Sequence, residues 1–175
     1  LRVGLRFMKE VLPKMRPRPT RIMGTSPPPV VVYSDASWPQ FTDLEEAVKM
    51  GEPPRLGWVV FVPGEKPRGY TMVLGKEFMD ALLPRKTQIF AAEAIAVLTA
   101  LVLLPGQFAQ RELLWFIDNE SAVSLLIRGG SKAQDVGHLA AATHLALIEE
   151  RCMAWFEWID SDSNPADGLS RDGLL

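Results

Sequence analysis

The sequence predicts an α/β domain built on a five-stranded mixed sheet, three antiparallel strands followed by two parallel ones, with helices on both faces. Three observations predict it. Apolar residues change period along the chain, from short β-branched and aromatic runs to runs recurring at three and four residues. The link between the second and third strand-like runs, at Pro63-Gly64, is short, which favours antiparallel pairing. The later runs are separated by helical segments, which demand right-handed crossovers. The 175 residues, 47% hydrophobic and 23% charged, are enough for one domain with a real core.

The net charge of −2 conceals an asymmetry. Residues 1–28 carry seven basic groups against one acid, Glu10, so the arm holds +6 and the remainder −8. This arm ends in a Pro-rich connector, Thr25 to Pro29, and the organised domain is expected over 29–175. Leu1 is not an initiator Met, so the chain is expected to be cut from something longer. The arm reads equally as a solvated linker or as a contact to phosphate. The one cysteine, Cys152, excludes an internal disulfide and points to a reducing, intracellular setting, cytoplasm or nucleus. The apolar stretch Ile89 to Leu104 is broken by Glu93 and Thr99. It falls short of the roughly 20 residues that span a bilayer, so no membrane partner is expected.

Taken in order, Val30 to Ser37 (VVVYSDAS) reads as a buried strand with Val31, Tyr33 and Asp35 on one face. Asp43 to Met50 suits one or two surface helical turns. Arg55 to Val62 and Gly69 to Leu74 are strands flanking a Pro63-Gly64 turn. Between Arg85 and Leu104, the residues Phe90, Ala94, Val97, Leu101 and Leu104 mark one helical face, which Pro105-Gly106 ends. Glu112 to Ile117 returns to strand. Ser121 to Arg128 is a helix with Asn119 as its cap and Gly129 at its end. Val136 to Arg151 is a further helix, Met153 to Ile159 the fifth strand, and a last helix starts at Asn164-Pro165. Trp115, Trp155, Phe156 and Trp158 are expected to pack in the core, and Trp38 is a candidate for lining a groove. His138 and His144, six apart on one helix, point about 240° apart and cannot share an ion.

Four carboxylates stand out. Asp35 sits on an apolar strand face, Glu93 in the most apolar helix, Asp118 where the fourth strand ends, and Asp167 in the last helix. Each also has a plain explanation, as a strand-end acid or as a helix first-turn acid favoured by the dipole. Together they say more. Two carboxylates about 4 Å apart repel by roughly 4 kcal/mol at an effective dielectric of 20. Mg²⁺ or Mn²⁺ removes that conflict, since hard cations take oxygen ligands. Two such ions can activate a water and stabilise the leaving oxygen at a phosphodiester, with no nucleophilic side chain.

These residues carry a resemblance. YSDAS, FAAEAIAVL, FIDNESA and NPADGLSR, in that order, resemble the ribonuclease H domain of retroelement reverse transcriptases. The closing NPADGLSR is similar to the end of that domain in long-terminal-repeat and DIRS-like elements. The resemblance covers residues 29–173 and implies a ribonuclease H-like fold that hydrolyses the RNA strand of RNA/DNA hybrids, leaving 3′-hydroxyl and 5′-phosphate ends. It implies Asp35, Glu93, Asp118 and Asp167 as ligands of two Mg²⁺ ions, with Mn²⁺ able to substitute. Ser37 and Asn119 are then candidate contacts to the 2′-hydroxyl that marks RNA. The polymerase domain of the same polyprotein is the implied protein partner, with residues 1–28 as the remnant joining the two.

The sequence departs from the family in three places. The loop Ser161-Asp162-Ser163 lacks the His that aids product release in many relatives. Ile89 and Phe90 stand where amides often precede the helical Glu. Only Arg128 and Lys132 occupy the segment that forms a basic handle in some relatives. Two other readings share the architecture: a non-catalytic scaffold or nucleic-acid-binding module, and a DNA nuclease of the junction-resolving type. Proofreading exonucleases fit less well, because Asp35-Ala36-Ser37 lacks their Asp-x-Glu. Integrases end in Glu where this chain has Asp167.

Overall fold

Val30–Ser37 (β1) is the middle strand of the sheet. A computed structural model describes residues 28–39, 51–85, 88–104 and 106–173, together with 9, 13 and 49. The strands are β1, Arg55–Phe61 (β2), Arg68–Val73 (β3), Glu112–Ile117 (β4) and Met153–Trp158 (β5), in the order β3-β2-β1-β4-β5. β2 pairs antiparallel with β1 and β3, whereas β1–β4 and β4–β5 are parallel. The helices are Lys76–Asp80 (α1), Ile89–Leu103 (α2), Glu120–Arg128 (α3), Gln134–Glu149 (α4) and Asp167–Arg171 (α5), with a 3₁₀ turn at Ser161–Ser163. This is the mixed sheet that the periodicity predicts. Among the described residues no helix is long and apolar enough to cross a membrane.

Strand alternation divides β1 between two environments. Val30, Val32, Ser34 and Ala36 are buried and join the main core with residues of α2. On that face the Trp58 indole donates to the Ala96 carbonyl of α2 at 2.8 Å, and the Trp115 indole to Ser34 Oγ at 2.9 Å. Both large rings are thus buried with their N–H groups satisfied. On the opposite face Tyr33 stacks on Phe116 (5.0 Å) and meets Phe61 edge-on (5.8 Å).

At the Asp35 end of that second face lies α5. Gly57 is opposite Asp35 in the β1–β2 ladder. A Cβ there would stand 2.6 Å from Ser170 N and 2.7 Å from Ala166 O, so only glycine lets the α5 backbone rest on the sheet. Thr71 Oγ1 donates to Leu169 O at 2.9 Å and Ser37 Oγ to Ser170 O at 2.6 Å, fastening this short helix from two strands. Helices therefore cover both faces unequally, with α2, α3 and α4 on one and α5 on the other.

Several boundaries and environments differ from the sequence expectation. α2 begins at Ile89 instead of Arg85, because Arg85 is held by Asp135 of α4 (2.5 Å) and Gln88 bonds back to Leu83. It is buried on most sides from Ala91 to Leu101, where one apolar face was expected. Its alanines let the sheet, α3 and α4 all approach. α5 starts at Asp167, three residues later than expected. Asn164 instead forms a turn, its Oδ1 accepting from Ala166 N (3.1 Å) and its Nδ2 donating to Ser34 O (3.0 Å). Trp115 and Phe156 are in the core, but Trp155 is 67% exposed and Trp158 44%. β5 is the edge strand, and α5 does not reach that part of the sheet. Of the turns expected at Asp43 to Met50 only Lys49 is described, as an exposed helical residue, and nearly all of the basic arm lies outside the described residues.

Candidate active site

The crossover topology brings the ends of β1 and β4 side by side, Ser34 lying opposite Ile117. Asp35 follows Ser34 and Asp118 follows Ile117, so the two acids emerge at the same edge. α2 packs across β1 and delivers Glu93 to the same point, where Glu93 Oε1 accepts from Ala36 N at 3.0 Å. One oxygen from each of Asp35, Glu93 and Asp118 lies within 4.8 Å of the others. Asp35 is 4% exposed and Glu93 2%, while Asp118 is half-buried at the mouth.

Asp167 lines the same cleft but stands apart from this trio, its Oδ1 paired with Arg171 Nη2 at 2.8 Å. The cleft measures about 570 Å³ and includes Trp38, Glu52, Ile89 and Ser161 besides the acids. Trp38 thus lies where the sequence reading placed a groove residue. Ser37 and Asn119 also line it, each with a second task. Ser37 holds α5, and Asn119 Oδ1 caps α3 by accepting from Ala122 N at 3.1 Å.

Asp35 and Glu93 have no basic ion-pair partner among the described residues. Burial pushes the Asp35 carboxyl up to about 6 against a hydrogen bond from Ser170, and the charges of Asp118 and Asp167 add to the rise. Glu93 is raised well above the usual carboxylate range, first by burial and then by the charges of Asp35 and Asp118. Its Oε2 is buried and has no hydrogen-bond partner among the described residues. An orphaned buried carboxylate oxygen beside two more acids fits a hard divalent cation, which accepts several oxygens and keeps waters for the rest.

Sequence reasoning missed Ser170, whose hydroxyl donates to Asp35 Oδ2, and Arg171 at the rim. A signal existed for Ser170: it lies three residues after Asp167, on the same side of a helix. Cys152 plays no part here, being buried with its thiol against the Phe108 carbonyl. His138 is exposed, and His144 Nε2 bonds the Leu126 carbonyl at 2.8 Å. Both are ordinary helix residues, as expected.

No protein-family model matches the chain, and neither does any curated protein. Solved structures do. LC11-RNase H1 in complex with an RNA/DNA hybrid is similar at a TM-score of 0.54 and 17% identity, over 80% of this chain and 92% of that one. The structure of LC11-RNase H1 isolated from compost by a metagenomic approach gives 0.54 and 16%, over 81% and 91%. RNase H1 from the halophilic archaeon Halobacterium salinarum NRC-1 gives 0.51 and 13%, over 82% and 94%. At these identities the likeness is one of fold, and the fold is ribonuclease H-like.

Proposed function

We propose that this domain is a metal-dependent ribonuclease H that hydrolyses the RNA strand of RNA/DNA hybrids within a retroelement reverse transcriptase polyprotein. The observation that carries the reading is the meeting of Asp35, Glu93 and Asp118, far apart in sequence, with Asp167 facing the same cleft. Asp35, Glu93, Asp118 and Asp167 are the residues assigned to hold two Mg²⁺ ions, or Mn²⁺ in their place. When bound, such ions supply the activated water and stabilise the leaving oxygen.

The chain's own groups do the positioning. The Ala36 amide fixes one Glu93 oxygen, and the other is buried with no hydrogen-bond partner among the described residues. Ser37 gives its proton to Ser170 O, so it meets a 2′-hydroxyl as an acceptor. Asn119 spends its oxygen on the α3 cap, so its amide N–H₂ is the end offered to the substrate. Hybrid as substrate is consistent with the complex of the similar LC11-RNase H1. The order of motifs ending in NPADGLSR supports the retroelement setting, with the polymerase domain as partner and residues 1–28 as the basic connector.

The test is cleavage of labelled hybrid, duplex DNA and duplex RNA side by side, with Mg²⁺ and with chelator. The expected result is cleavage of the RNA strand of the hybrid alone, with Mg²⁺ only, giving 3′-hydroxyl and 5′-phosphate ends. Cleavage of duplex DNA would make the domain a DNA nuclease, and none at all would make it a scaffold.

A further inference from the structure

We infer that Ser170 is a positioning residue for Asp35, an assignment that rests on the metal-dependent reading above. Three observations, on two strands, converge on it. Ser170 is fully buried, and its hydroxyl donates to Asp35 Oδ2 across 135 residues of sequence. Its backbone N rests where a Cβ at Gly57 would stand 2.6 Å away, and Gly57 is directly opposite Asp35 in the ladder. Its carbonyl accepts from Ser37 Oγ at 2.6 Å, so the residue is gripped at both its backbone and its side chain.

The chemistry follows from one proton. A serine hydroxyl has a single hydrogen to give, and Oγ lies between Asp35 Oδ2 and the Asp167 carbonyl at 2.8 Å. A carboxylate is the stronger acceptor, so the proton goes to Asp35 in preference to the helix carbonyl. With Oδ2 so engaged, rotation of the Asp35 carboxyl is restrained, and one oxygen of that carboxyl lies within 4.8 Å of an oxygen of Glu93 and of Asp118. α5 thus brings two things to the site at i and i+3, the carboxylate of Asp167 and the hydroxyl that orients Asp35. Outer-shell partners of this kind change metal affinity or activity by about 10–100-fold when removed.

The test compares the full chain with Ser170→Ala, Ser170→Thr and Thr71→Val. Thr71→Val removes a different tether of α5, the bond to Leu169 O, without touching Asp35. Two quantities are read: the Mg²⁺ concentration that half-saturates hybrid cleavage, and the one that half-saturates the Mg²⁺-induced rise in Tm. Ser170→Ala is expected to raise both by about tenfold or more with hybrid KM little changed. Ser170→Thr, which keeps the hydroxyl, should recover most of the loss. Thr71→Val should lower Tm with both Mg²⁺ values unmoved. Should Ser170→Ala not fold, Ser170→Cys, of similar shape but a weak donor, carries the same expectation.

Equal shifts in Ser170→Ala and Thr71→Val, or no shift in Ser170→Ala beside a responsive wild type, would overturn the positioning role alone. A wild type that shows no response to Mg²⁺ would overturn the ribonuclease reading and this inference with it.

Discussion

On the proposed ribonuclease H reading, Asp35→Asn is expected to lower hybrid cleavage by about a thousandfold and to raise the melting temperature of the metal-free protein. The first half follows from charge. An amide is a poor ligand for Mg²⁺, and losing several kcal/mol of transition-state stabilisation, at about 1.36 kcal/mol per tenfold, amounts to roughly 10³ in rate. The second half follows from the same charge seen without metal. Asp35 is buried among Glu93, Asp118 and Asp167, each of which opposes its ionisation or is opposed by it. Asn has nearly the same shape and still accepts from Ser170 through its oxygen, so it relieves repulsion without opening a cavity. A gain of about 1–2 kcal/mol would appear as a rise of roughly 2–8 °C for a domain of this size. Steady-state cleavage and thermal melts in chelator check both. Full activity in the variant would remove Asp35 from the mechanism, and a lower Tm would mean that its charge is already neutralised by the protein.

In chelator, stability falls as pH rises from about 4 to above 6. Folded Asp35 keeps its proton up to about 6, whereas the unfolded chain releases it near 3.8. The folded state therefore binds more protons in that window, and its stability is highest below it. The loss from Asp35 is on the order of 3 kcal/mol by pH 7, and Glu93, raised by burial, adds in the same direction. Asp135 acts the opposite way. Its carboxyl is held well below the usual range by Arg85, so its contribution is present above pH 3.8 and is lost only in stronger acid. With saturating Mg²⁺ the decline should flatten, because cations take the place of protons. Denaturant melts at pH 5 and pH 8, with chelator and with Mg²⁺, measure this. A metal-free protein equally stable or more stable at pH 8 would contradict it.

How much of this was legible in the sequence depends on which distance the signal had to cross. β1 and β4 fall where the apolar runs end in Ser37 and before Asp118, since local propensity and breakers agree there. α3 is framed by Asn119 and by Gly129, whose φ of 66° is the left-handed value that its position at the helix end needs. The trio Asp35, Glu93 and Asp118 was also legible, because strand-end acids and an acid in an apolar helix are costly wherever they lie. What was not legible depends on partners remote in the chain. Arg85 shortens α2 by reaching Asp135, fifty residues away. Ser170 reads as a small helix residue until Gly57 admits it to Asp35. Trp155 has the composition of a core residue, yet the edge position of β5 and the short reach of α5 leave it in solvent.

The nearest approach to the central claim is a calorimetric titration of the full chain with Mg²⁺ in the absence of any nucleic acid, repeated on Glu93→Gln. Saturable binding by the wild type, weakened at least tenfold in the variant, is the predicted outcome. Identical heats from the two proteins, or none from either, would contradict the account.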